Sequence, residues 1–198
     1  MFSKIVLTFV VIWTITTQGS LLAQQRASNV KVVDKRTMTD ASGSIYFMVF
    51  AATPYSGQPN TTAQDHAGHS FVVFGVEDRQ RRVSYYSAFG FYTMPTSSGG
   101  ANWRSIFSEV PGQLRNDAML TTNNRFNRLI VKVNKNVLDA ALQRKNQWAS
   151  GSYQYQLLRR DCVSFAINMA QIAGLNMPNR TGFDNVPWNY IVAMMNAN

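Results

Sequence analysis

The chain has 198 residues, 45% hydrophobic and 15% charged, with one cysteine, two histidines and a net charge of +9. These proportions exclude a disordered chain, and a single cysteine excludes an internal disulfide framework. The positive balance favours anionic surfaces such as cell-envelope polymers or lipid head groups; nucleic acid is not expected, because the basic residues are scattered and no recognition motif accompanies them.

Residues 1–23 read as a secretory signal peptide. Lys4 supplies the positive start, residues 5–15 are apolar apart from Thr8 and Thr14, and Gly19, Ser20 and Ala23 are small enough for cleavage. The apolar run is short for a membrane span and no basic stop-transfer segment follows it. The expectation is a secreted or periplasmic protein without stable membrane insertion. Residues 24–43 form a polar lead-in with one apolar patch at 30–33, either mobile or an edge strand, and residues 44–198 suffice for a single domain.

Residues 45–52 are continuously apolar and rich in aromatics, as in a central strand. Pro54, Gly57, Pro59 and Asn60 make 53–67 a loop. Residues 68–76 and 83–92 read as two strands of a hairpin around a polar turn at 77–82. Both are apolar on both faces, so the hairpin is expected inside the domain. A Pro/Ser/Gly loop covers 94–101, and 102–122 shows no regular pattern. A strand at 128–133 precedes an amphipathic helix at 137–149, with Val137, Ala140, Ala141 and Trp148 on one side. A short strand at 153–158 follows, and 183–195 closes the chain with a helix after Pro187.

Between these last elements stands Arg159-Arg160-Asp161-Cys162-Val163-Ser164-Phe165-Ala166. Asp161 is a natural N-cap, since its carboxylate can accept the free N–H groups of a first helical turn. Val163, Ala166, Ile167, Ala170 and Ala173 then recur at helical spacing, beside a second apolar stripe of Phe165, Met169 and Ile172. Ser164, Asn168 and Gln171 leave only a narrow polar line. Gly174 supplies the stop, with Pro178 beyond it. Cys162 therefore begins a buried helix, where the helix dipole is expected to favour thiolate over thiol.

Asp161-Cys162-Val163-Ser164-Phe165, with Ala173-Gly174-Leu175-Asn176-Met177-Pro178-Asn179-Arg180-Thr181, resembles the cysteine box of NlpC-type papain-like cell-wall peptidases. There an Asp-Cys pair opens a helix that ends in a Gly-Ile/Leu turn followed by Pro and Arg. The usual family order places the catalytic His after the Cys, whereas both histidines here precede it. That order is similar to the circularly permuted branch, which includes lecithin retinol acyltransferase-like proteins. The resemblance implies a papain-like α+β fold, with an antiparallel sheet packed against the cysteine helix. It also implies an exported cysteine hydrolase that cleaves amide bonds, most plausibly in peptidoglycan stem peptides. Alternatives are a lipid or thioester acyl hydrolase or acyltransferase on the same fold, and a non-enzymatic binding module with a buried Cys162.

A cysteine nucleophile requires a base, and the base requires an orienting group. Gly68-His69-Ser70-Phe71 matches the histidine strand of the permuted relatives, making His69 the candidate base and His66 the lesser one. Around a turn near Arg79, residues opposite His69 fall near Phe89 to Phe91, which leaves Ser87 and Tyr92 as candidate orienting groups and Asp117 as an outsider. Asp161 caps the helix, and the resemblance implies that its carboxylate also meets the free amine of a peptide substrate. Tyr155 and Tyr153 are candidates for a groove beside Cys162. Asp65, His66 and His69 carry zinc-ligating groups, but no second cluster completes a shell, so neither metal nor other cofactor is expected.

Overall fold

The apolar run over Ile45–Ala52 (β2) and the one over Ser70–Glu77 (β3) lie side by side as an antiparallel pair, from Ile45↔Glu77 to Ala52↔Ser70. The computed structural model describes residues 30–53, 68–94, 103–116, 126–180 and 186–198. Around the central pair stand β1 (Val30–Asp34), β4 (Val83–Thr93), β5 (Val110–Asn116), β6 (Asn127–Val133) and β7 (Gln154–Tyr155), giving one seven-stranded sheet in the order β1-β6-β2-β3-β4-β5-β7. Among the described residues three helices accompany it: α1 (Lys135–Ser150), α2 (Cys162–Ile172) and α3 (Pro187–Ala197). The architecture is α+β.

The sheet is mixed, not purely antiparallel as expected. β1 falls within residues 24–43 and pairs in parallel with β6. The cause lies in the connection to β2. β1 and β2 run in opposite directions but leave a gap one strand wide, and β6 fills it antiparallel to β2. Val30 and Val32 face outward on this edge, about half exposed.

Both faces of β2 and β3 are covered, which is why neither strand alternates between apolar and polar residues. On one face Met48, Phe50, Val72, Phe74, Leu129 and Val131 meet the three helices. On the other, Phe47, Val49, Phe71 and Val73 form a smaller cluster with Ala88 and Phe126. Burying each such side chain contributes about 1.5–3 kcal/mol, so most of the fold's apolar stabilisation sits on the helical side. The hairpin departs from expectation at its far end, where Val83, Tyr85 and Tyr86 are exposed beyond the core. In α1, Leu138, Ala141 and Trp148 are buried, whereas Ala140 faces solvent.

Residues 102–122, expected to be irregular, contain a 3-10 turn at Trp103–Ile106 and strand β5. Pro111 and Gly112 disguise β5 in the sequence. Gly112 is required there, because a Cβ would lie 2.3 Å from Cζ of Phe91. The strand expected at 153–158 is only two residues long. It gives way to a turn closed by the bridge Gln156↔Arg160, with Leu158 at φ +69°. α2 ends as expected: Gly174 takes φ +67° and its N–H donates to Gln171 O. α3 begins with Pro187 in its first turn, and residues 181–185 of the expected closing helix lie outside the described residues.

Candidate active site

The start of α2 is fixed by a reciprocal capping box. Asp161 Oδ1 accepts the Ser164 N–H at 3.0 Å, and Ser164 Oγ accepts the Asp161 N–H at 3.2 Å. Asp161 Oδ2 accepts the Leu158 N–H at 2.8 Å and Nη2 of Arg180, whose Nη1 donates to Ser164 Oγ at 3.0 Å. Asp161 is 1% exposed, so this is a buried ion pair supported by neutral hydrogen bonds, the arrangement in which such a pair offsets its desolvation. These donors occupy both carboxylate oxygens. Through them Asp161 positions the start of the helix.

Cys162 follows, 3% exposed, as the first residue of α2. Its sulfur faces Ser70, whose N–H and hydroxyl are both placed to donate to it. The β3–β4 ladder begins at Val72↔Phe89, so Ser70 lies ahead of it and its N–H is open to the sulfur. Ser70 Oγ is fully buried, and the Cys162 sulfur is the acceptor it faces. Burial pushes the Cys162 thiol up from 9.0 to about 11, and the Asp161 carboxylate adds to the rise. The Ser70 hydroxyl and N–H, and then Arg180, pull in the opposite direction. The expectation of a resting thiolate is therefore corrected. Desolvation and an adjacent buried carboxylate outweigh the helix dipole.

His69 stands next to Ser70 at the start of β3. Its backbone is clamped to the end of β2: the His69 N–H donates to Thr53 Oγ1 at 2.7 Å, and the Thr53 N–H donates to His69 O at 2.8 Å. Gly68 permits this clamp, with φ +75° and room for a Cβ denied by Thr53 O at 2.7 Å. The imidazole stacks on Tyr92 with ring centroids 3.9 Å apart, and Arg115 lies 5.0 Å from the centroid of the same tyrosine ring. Nε2 occupies the space above Gly90, where a Cβ would be 2.1 Å away. Cys162 meets Ser70, and His69 stacks on Tyr92, both at the same end of the β3–β4 pair.

Of the two candidate orienting groups, Tyr92 touches the imidazole, and it does so by stacking. Ser87 is removed from the site, since it pairs with Phe74 farther along β3. Tyr155 is 6% exposed and packs on Phe91 at 5.5 Å, and burial raises its hydroxyl above the usual range, followed by Cys162 and Asp161. It belongs to the same buried core cluster as Cys162. Tyr153 stacks on Trp148 at 4.8 Å. Asp65, His66 and Asp117 lie outside the described residues. Among the described residues no group of three or more His, Cys, Asp or Glu side chains could hold a metal ion, and no helix is long and apolar enough to cross a membrane.

Three contributors were not singled out from sequence: Ser70, Gly90 and the Arg180 guanidinium. Gly90 had a signal, since a glycine inside a strand marks a close approach. Arg180 lay within the motif but had no stated partner. Comparisons with family models, with curated proteins and with solved structures find no match to this chain.

Proposed function

We propose that the protein is an exported thiol hydrolase of the permuted papain-like type, with Cys162 as nucleophile and His69 as base. The substrate class that fits best is an amide bond in peptidoglycan stem peptides, whose carboxylates complement the chain's positive charge. The observation that carries the reading is the Cys162 sulfur at the start of α2, held against the N–H and hydroxyl of Ser70, the residue that follows His69 in the chain. The thiol is neutral at rest, so its proton passes to His69 as sulfur attacks the carbonyl carbon. The Cys162 N–H, in the first turn of α2, is unpaired within the helix and supplies one donor to the oxyanion. Collapse breaks the C–N bond, the amine leaves with the proton from His69, and water cleaves the thioester, returning the proton to sulfur. Ser70 stabilises the sulfur as it becomes the leaving group.

A second reading, hydrolysis or transfer of acyl esters, is favoured by the apolar side chains of Ile106, Phe107 and Leu158 beside the site. Turnover of muropeptides and of acyl esters by the purified protein separates the two. Cys162→Ala should abolish turnover while the far-UV spectrum is kept; turnover at the wild-type level would sink the proposal. Gly90→Ala should lower kcat/KM by about 10²-fold, because the added methyl displaces the imidazole. No turnover on either substrate class, with a thiol that resists alkylation even at high pH, would make Cys162 a core residue of a binding module.

A further inference from the structure

The surface above the start of α2 combines two features that serve no purpose in the core. Ile106, Phe107 and Leu158 are 53%, 76% and 54% exposed. They come from two separate turns, which are tied together by the Leu157 N–H donating to Ser105 O at 2.9 Å. Leu158 takes φ +69° with its N–H directed inward to Asp161 and its side chain exposed. Arg104, Arg159 and Arg160 flank these residues, all exposed, against the single exposed acid Glu109 in the same turns. None of the three arginines forms an ion pair among the described residues.

We propose that this rim docks the protein on an anionic phospholipid surface, with the start of α2 turned toward the lipid. The three apolar side chains would enter the boundary between head groups and acyl chains, and the arginines would pair with phosphates at the same level. A soluble polyanion would use the arginines but leave the apolar tip in water, so charge and apolarity together favour a bilayer. The inference does not rest on the chemistry proposed for Cys162, because binding is read without turnover.

The test is co-sedimentation of the full chain with vesicles of phosphatidylglycerol and phosphatidylcholine, and with vesicles of phosphatidylcholine alone. The expected result is binding to the anionic vesicles that weakens with salt. Ile106→Ser with Phe107→Ser should weaken it at least tenfold, and Arg104→Gln, Arg159→Gln and Arg160→Gln together by about a hundredfold. All these side chains are exposed, and an unchanged unfolding midpoint checks that the variants fold. Every variant retains the apolar residues 5–15, so the difference from wild type reads the rim alone. Equal binding by wild type and both variants, or no binding to anionic vesicles at low salt, overturns the proposal. Loss with the arginine variant but not with the apolar one would also overturn it, since it would identify a site for anionic polymers.

Discussion

Two of the described helices start after an Asx residue, and the two starts are built differently. At α1 the side chain of Asn134 makes no cap bond; it turns away to Thr37, accepting its N–H at 3.2 Å and donating to its hydroxyl at 2.7 Å. The first turn carries the exposed pair Lys135–Asp139. At α2 the side chain of Asp161 is buried and accepts bonds from three other segments: the α2 turn, Leu158 and Arg180. A helix that only has to pack can begin loosely. One that must hold a sulfur atom against Ser70 is fixed from several directions at once.

Asp161→Ala breaks that comparison most severely. It removes the cap, frees the Leu158 N–H and leaves Arg180 buried without its counter-ion, so a loss of about 3–5 kcal/mol is expected. Asn134→Ala should lose no more than about 1 kcal/mol, because only exposed bonds to Thr37 disappear. Urea unfolding of both variants checks the contrast. Equal losses would mean that the buried network contributes nothing beyond an ordinary cap.

The alkaline limb of the stability curve sharpens the same contrast. The folded-state value of about 11 for Cys162 lies above its ordinary 9.0, so the folded state holds the thiol proton more tightly. The contribution is complete below pH 9 and is lost as pH rises toward 11, at most about 3 kcal/mol in all. Cys162→Ala should therefore lose less stability across that window than wild type. The raised hydroxyl of Tyr155 adds a loss above pH 10 that this variant retains. Iodoacetamide labelling of the wild type should likewise be slow at neutral pH and climb toward pH 11. Fast labelling at pH 7 would contradict the burial argument.

What could be read in the sequence follows from which forces leave a local trace. β2, β3 and the buried half of β4 were visible because continuous apolar runs mark strands covered on both faces. The cysteine helix was visible because its cap, stripes and stop all lie within a few residues. β5 was hidden by Pro111 and Gly112, whose presence reflects a strand near the sheet edge and the ring of Phe91 lying against it. The parallel β1–β6 pair left no trace, since strand neighbours depend on the path of the whole chain. The acidity of Cys162 is not legible in the sequence for a similar reason. The dipole of its own helix is a local feature, but desolvation by the core is not.

The smallest expected effect tests how the network at α2 holds its surroundings. Leu158 and Arg81 are the described non-glycine residues with positive φ, at +69° and +64°. Such a conformation costs a side-chain-bearing residue about 1–2 kcal/mol, while glycine adds about 0.4–1 kcal/mol of unfolded-state entropy. Leu158→Gly should therefore gain roughly 0.5 kcal/mol. Arg81→Gly should come out near zero, because it also gives up an exposed ion pair with Glu77. At Leu158 the strain has an identifiable cause, since the Asp161 carboxylate holds the N–H inward at 2.8 Å. With Asp161→Ala in the background the turn can relax, and Leu158→Gly should change from a small gain to a small loss. An unchanged gain in that background would place the strain in the Gln156↔Arg160 turn itself, and the carboxylate would then be a beneficiary of the turn's shape instead of its cause.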